Sequence, residues 1–235
     1  MSLKPSYILY FIGFLTACFF ALISFGEKLL IARYILAKNG YYIYYKKAKE
    51  YLTSIDLEDA KVFHKKQNGY QYIAHLSYLR AGFYPPFILN VSFTCGNGYT
   101  NIRENMLLKH IKITSKRFPI SCIKTGDEKG SGQMNSQLEL SPDSINGFIN
   151  FSMLNVKGYF IKNLKLNFKK TNFHFRGKVD VLNTSVDIKG DGIVSIDQNT
   201  LTNSKISGSG LINTPFKSMH IVFGGTVVNP SINIQ

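Results

Sequence analysis

From Ile55 to the C-terminus, apolar and polar residues take turns along the chain, and a period of two admits strands and little else. The pattern opens at Ile55-Asp56-Leu57-Glu58 and returns over 70–79, 88–94, 109–114 and 137–140. Between Ile145 and Met153, the residues Ile145, Gly147, Ile149, Phe151 and Met153 share one face. Leu164, Leu166 and Phe168 alternate with Lys165 and Asn167, and Phe173 and Phe175 with His174 and Arg176. Val179-Asp180-Val181, Val186-Asp187-Ile188, Val194-Ser195-Ile196 and Ile232-Asn233-Ile234 carry the pattern to the end. Turn residues punctuate it about every 8–12 positions, which is the rhythm of a serially built antiparallel sheet. Gly96-Asn97-Gly98, Gly126-Asp127, Gly130-Ser131-Gly132, Leu182-Asn183, Gly190-Asp191-Gly192 and Asn199 read as those turns. Only Asn101 to Lys109 hints at helical periodicity beyond Asn39. The expected fold class is mainly β: an N-terminal transmembrane helix, then a curved, mostly antiparallel sheet that forms either an open groove or a sandwich.

Ahead of the strands, Tyr7 to Phe25 contains no charge. About 19 such residues just cross a hydrocarbon layer of ~30 Å as a helix. The implied organisation is a short tail at 1–6, a transmembrane signal-anchor at 7–25, a juxtamembrane helix with a Tyr/Lys-rich segment at 26–52, and a periplasmic β domain at 53–235. Leu15-Thr16-Ala17-Cys18 has lipobox spacing, but Phe19 to Ile23 stay apolar after the cysteine, which favours the anchor. The run also exceeds the usual ~7–15 residue core of a cleaved signal peptide. Lys28, Arg33 and Lys38 follow it, and flanking charge alone would hold the domain in the cytoplasm. Long domains translocate regardless of that bias, and the downstream composition is that of an exported body, so a single-pass inner (plasma) membrane protein with its C-terminal domain in the periplasm is expected.

Glu27 to Lys38 reads as a continuation of the membrane helix or a short amphipathic helix, stopped at Asn39-Gly40. Lys28, Arg33 and Tyr34 are the expected membrane-interface residues. The tyrosines that follow, Tyr41, Tyr42, Tyr44, Tyr45 and Tyr51, suit either the headgroup zone or a strand whose rings pack on the domain. A formal charge of +14 would suit an anionic lipid surface or an acidic polymer. The basic residues are scattered, however, and compositional bias explains them equally well. Cys95 and Cys122 are left in the body, either as a disulfide across neighbouring strands or as two buried thiols.

Chemistry is hard to find in this chain. His64, His75, His110, His174 and His220 lie far apart, without metal-ligand spacing. Asp56, Glu58 and Asp59 fit neither a calcium loop nor a phosphate-metal site. Gly130-Ser131-Gly132 and Gly208-Ser209-Gly210 lack the third glycine and the βαβ setting of a dinucleotide loop. No catalytic residue, metal site or cofactor is expected, and the chain reads as a non-enzyme.

The ending Ile221-Val222-Phe223-Gly224-Gly225-Thr226-Val227-Val228-Asn229-Pro230-Ser231-Ile232 resembles the closing segment of AsmA-like proteins and of the related type II secretion system protein N. Gly224, Gly225, Thr226, Asn229 and Pro230 carry the likeness. Gly208 to Pro215 resembles the approach to it, and Ile55 to Val62 is similar to the strand with a central acidic turn that opens such domains. The resemblance touches both ends of the chain, and at this length favours the protein N type over the long bridge-like members. It implies a membrane-anchored periplasmic β-sheet with an apolar concave face, acting as a scaffold or lipid-handling accessory in secretion or outer-membrane assembly. Ile145, Ile149, Phe151, Leu164, Leu166, Phe168, Phe173 and Phe175 are the expected lipid-groove residues. Membrane lipids and other envelope or secretion-system proteins are the implied partners, and nucleic acid is not. The alternative is a membrane-tethered module for an anionic polymer, whether nucleic acid or acidic glycan, on Lys165, Lys169, Lys170, Arg176 and Lys178.

Overall fold

The computed structural model describes residues 27–66, 69–84, 87–122, 131–156, 159–181, 184–197, 204–213, 218–226 and 229–234. The expected transmembrane span, the lipobox and the turns at Gly126-Asp127, Leu182-Asn183 and Asn199 lie outside them. Among the described residues no helix is long and apolar enough to cross a membrane. One helix, α1 (Lys28–Lys38), precedes the strands β1 (Tyr41–Tyr44), β2 (Lys47–Glu50), β3 (Ser54–Lys66), β4 (Gly69–Tyr84) and β5 (Ile88–Cys95). Next come β6 (Gly98–Asn105), β7 (His110–Pro119), a 3-10 turn (Ile120–Cys122), β8 (Ser131–Ser141), β9 (Ser144–Val156) and β10 (Tyr159–Lys169). The chain closes with β11 (Asn172–Val181), β12 (Thr184–Ser195), β13 (Lys205–Asn213), β14 (Ser218–Thr226) and β15 (Asn229–Ile234).

All 15 strands belong to one open antiparallel sheet, and from β3 onward each strand pairs with its neighbours in sequence. Of the two expected arrangements, the described residues form a single sheet and not a sandwich. The sheet begins earlier than the alternation suggests. β1 and β2 are two pieces of one edge strand on β3, in a common register that sets Tyr41 opposite His64 and Glu50 opposite Ile55. Asn101 to Asn105 is strand, and residues 106–109 form its turn. Gly190-Asp191-Gly192 is no turn either: it lies inside β12, opposite Gly210, Ser209 and Gly208 of β13. The turn signal is misleading there because the glycines are required by rings stacked on them, described below. Gly96-Asn97 does make a two-residue hairpin, and Gly96 takes φ +53, a conformation glycine adopts without penalty.

Apolar positions stay on one face because bulges reset the alternation wherever it slips. Asp59 at φ 54 shifts the phase of β3, so that Ile55 and Leu57 before it and Ala60 and Val62 after it join one cluster. The acidic segment is therefore a kink within a continuous strand whose register against β4 is unbroken there, the register shift in that pair falling between Val62 and Phe63. A shift between Gln133 and Met134 of β8 breaks the row on β9 beyond Phe151. Met153, expected on the dry face, is accordingly exposed.

Both edges of the sheet are blunted. Along the first, α1 sets Leu29 and Ala32 against the cluster that holds Ile55 and Leu57, burying the start of the dry face. Each Leu or Ile buried there contributes about 1.5–3 kcal/mol. Along the last, Pro230 removes an amide from edge strand β15 opposite Gly225, and a proline discourages further strand addition. The helix is not amphipathic as expected: Leu30, Ile31, Tyr34 and Ile35 on its other side are exposed.

Candidate functional site

A single-layer sheet cannot bury its own apolar face, and this one is covered only in places. The first lid is α1. The second is the chain after β7: the structure joins Cys122 of the 3-10 turn to Cys95 at the end of β5 in a disulfide, with Cα atoms 6.3 Å apart. Phe118 is 1% exposed and meets Phe93 edge-on at 5.5 Å. Gly98 makes this possible, since a Cβ there would stand 2.5 Å from the Phe118 backbone. Beneath this lid Thr100 and Ser115 are buried and share a hydrogen bond of 2.9 Å.

A third cover comes from the sheet itself. Gly190 and Gly192 of β12 face Gly210 and Gly208 of β13, and Phe173, Phe175 and Phe223 lie across the four of them. Phe173 sits with ring centroids 5.8 Å from Phe223 and 5.6 Å from Phe168, and is 2% exposed. It was expected to line an open groove and is instead packed into a floor of rings. The spacing of Gly-X-Gly in two successive strands, with Phe-X-Phe in the strand before them, was the available signal.

Between the second lid and the rings, the dry face is uncovered by any other described element. Register sets Ile149 beside Leu166 and Leu166 beside Phe175, and Phe151 beside Leu164. Ile145 lies at the β9 end of the same face. Seven of the eight expected groove residues are thus brought onto one face and remain half-buried.

The opposite, wet face is a ladder of ion pairs. Lys47 meets Glu58, Lys112 meets Glu139 at 2.9 Å, Lys162 meets Asp180, and Lys178 approaches Asp187 at 4.0 Å. His75 pairs with Asp59, and His174 with Asp191. The hydrogen bond from His75 holds the Asp59 carboxyl below its ordinary pKa, and the lysines do the same for Glu139 and Asp180. Asp56 is buried, bonded by Arg80 Nε at 2.8 Å and by the Tyr78 hydroxyl at 2.6 Å. Burial first, and the hydrogen bond to Asp56 second, push Tyr78 up to about 12. Among the described residues no three His, Cys, Asp or Glu side chains gather as metal ligands would.

Of the expected basic patch, Lys165 and Arg176 stand directly opposite each other. Lys189 extends that row on β12. Lys178 belongs to the ion-pair ladder, while Lys170 forms a turn with φ 59. Arg33 and Tyr34 project from α1 along a cleft of about 600 Å³ shared with Tyr41 and Tyr44. The tyrosines of β1 pack on strand rings: Tyr42 on Tyr70 at 5.0 Å and Tyr44 on Phe63 at 5.5 Å. Gly224, Gly225 and Thr226 face Ser231, Pro230 and Asn229 in the last hairpin. The Ser231 hydroxyl donates to the Gly224 carbonyl oxygen at 3.0 Å. The chain matches no protein-family model, no curated protein and no solved structure.

Proposed function

We propose that this protein is a non-enzymatic, inner-membrane-anchored envelope protein of AsmA-like type, whose dry face holds lipid acyl chains. It serves as a scaffold or lipid-handling accessory in secretion or outer-membrane assembly, with its sheet in the periplasm. One observation carries the reading: the half-buried aliphatic and aromatic side chains of β8 to β11 have no covering layer of protein among the described residues. An acyl chain laid along them would gain about 0.8 kcal/mol per buried methylene. The Gly-Gly-Thr and Asn-Pro ending and the uncharged N-terminal run supply the envelope setting. Native mass spectrometry of the full chain released from detergent should find phospholipid bound. Replacing Ile149 and Leu166 with Asp should abolish the adduct while circular dichroism still reports β-sheet. A wild-type chain that never carries lipid would sink the reading.

The row Lys165, Arg176 and Lys189 favours a second reading, an anionic polymer on the wet face, because like charges set opposite one another cost stability unless an anion neutralises them. Binding of that kind would weaken steeply with salt.

A further inference from the structure

Besides the outer side of α1, a group of exposed apolar side chains sits in the turns at one end of the sheet. Alternate hairpins of a meander turn at the same end, which places the β2–β3, β4–β5 and β6–β7 connections together. These turns carry Tyr51 and Leu52, Tyr84 and Phe87, and Met106, Leu107 and Leu108. Leu52, Leu107 and Leu108 are 64%, 66% and 70% exposed. Two turns at that end further along the sheet, Pro142-Asp143 and Lys170-Thr171, are polar.

Looseness does not explain the exposure, since the tips are held in place. Asn105 Oδ1 accepts from the amides of Leu107 and Leu108 at 3.2 and 3.1 Å. The Met106 amide donates to the Phe87 carbonyl at 3.0 Å, and that of Phe83 to Thr53 at 2.8 Å. Arg80, fixed by Asp56, lies 5.6 Å over the Tyr51 ring. Three turns are thus tied into one rim.

The chain outside the structure says what covers the rim. Helix α1 starts beside the end of β2, where the Lys28 amide donates to Glu50 Oε2 at 3.1 Å, and it ends at Gly40, beside His64 at the far end of β3. The uncharged run Tyr7–Phe25 stops three residues before Lys28, a reach of at most about 11 Å. An anchor formed by that run would have to enter within that reach of the rim end of the sheet. We propose that Leu52, Phe87 and Met106–Leu108 insert into the outer surface of the same bilayer. They would hold the sheet upright on the membrane and set the dry face where an acyl chain leaves it. Lys109, next to Leu108, meets the headgroups. This rests on the membrane anchoring in the reading above, and its test is separable from the groove.

The full chain, with Cys18→Ser, is reconstituted into vesicles of phosphatidylethanolamine and phosphatidylglycerol in equal parts. A fluorophore that responds to polarity is placed through Leu107→Cys or, at the opposite end, Tyr70→Cys. Brominated phospholipid should quench the label at 107 roughly twofold or more over that at 70, as for a residue seated some 5–10 Å into the interface. A label at Lys109→Cys should lose its quenching when Leu107→Ser and Leu108→Ser are added. Equal quenching at both ends, or none at 107, overturns the proposal, as does shielding that follows protein concentration, which would mark a second copy. Quenching at 107 in a chain that carries no lipid by mass spectrometry upholds the rim and removes the groove. Bound lipid without quenching removes the rim alone.

Discussion

Gly192 and Gly208 face each other across β12 and β13 with Phe173 and Phe223 above them, and the missing side chains give those rings their space. A Cβ on Gly192 would come within 2.4 Å of the Phe173 ring and 2.6 Å of the Ser207 carbonyl oxygen. Since Phe173 is 2% exposed, it has nowhere to swing. Gly192→Ala should therefore destabilise the protein by about 1–3 kcal/mol, the usual cost of overfilling a packed site, read as a lowered urea midpoint. At Gly224 an added Cβ meets nothing nearer than 3.9 Å. Gly224→Ala should consequently stay within about 0.5 kcal/mol of wild type. Equal losses at both positions would mean that the rings do not decide the effect.

The elements owe their order to a few local devices: the Asp59 kink, the edge proline and the disulfide lid. Cys95–Cys122 closes a loop with a sequence separation of 27. Restricting the unfolded chain over that length is worth about 3.5 kcal/mol in the loop-entropy account. Cys95→Ser should lower the unfolding free energy by up to that amount, and a reducing agent should do the same to wild type but not to the variant. Because the bond also pins the 3-10 turn over the dry face, backbone hydrogen exchange in β5 to β8 should rise more than in β11 to β14. A uniform rise would remove the lid from the explanation.

The whole molecule is a charged surface wrapped on one side of a sheet, with formal charge +14. Several of its carboxylates are placed opposite cations, and Asp59, Glu139 and Asp180 are held below their ordinary pKa values by hydrogen bonds from His75, Lys112 and Lys162. A carboxyl depressed in this way adds stability above its unfolded pKa, and the contribution is lost as pH falls through the folded value. Thermal midpoints should be level above about pH 5 and fall below about pH 4, steepened by growing self-repulsion. Replacing all three with their amides should flatten that acid limb, and an unchanged slope would show that these pairs do not cause it.

Much of this was written in the alternation. A period of two over Ile55–Ile234 left only strands, and turn residues between short runs left only sequential antiparallel pairing, because each hairpin is a local event that neighbouring residues decide. The dry-face residues were legible for the same reason: parity assigns a face without knowledge of the partner strand. Tertiary structure decided whatever depends on groups distant along the chain. It made Gly190-Asp191-Gly192 strand, since only the rings of β11 and β14 show why glycine is needed there. It buried Phe173, turned Met153 outward through a bulge registered against β8, and decided between the two readings of the tyrosines by drawing Tyr41–Glu50 into the sheet as an edge. Above all, among the described residues it left one layer unpaired with a second, because whether an apolar face meets another face is a property of the assembled sheet and not of any strand in it.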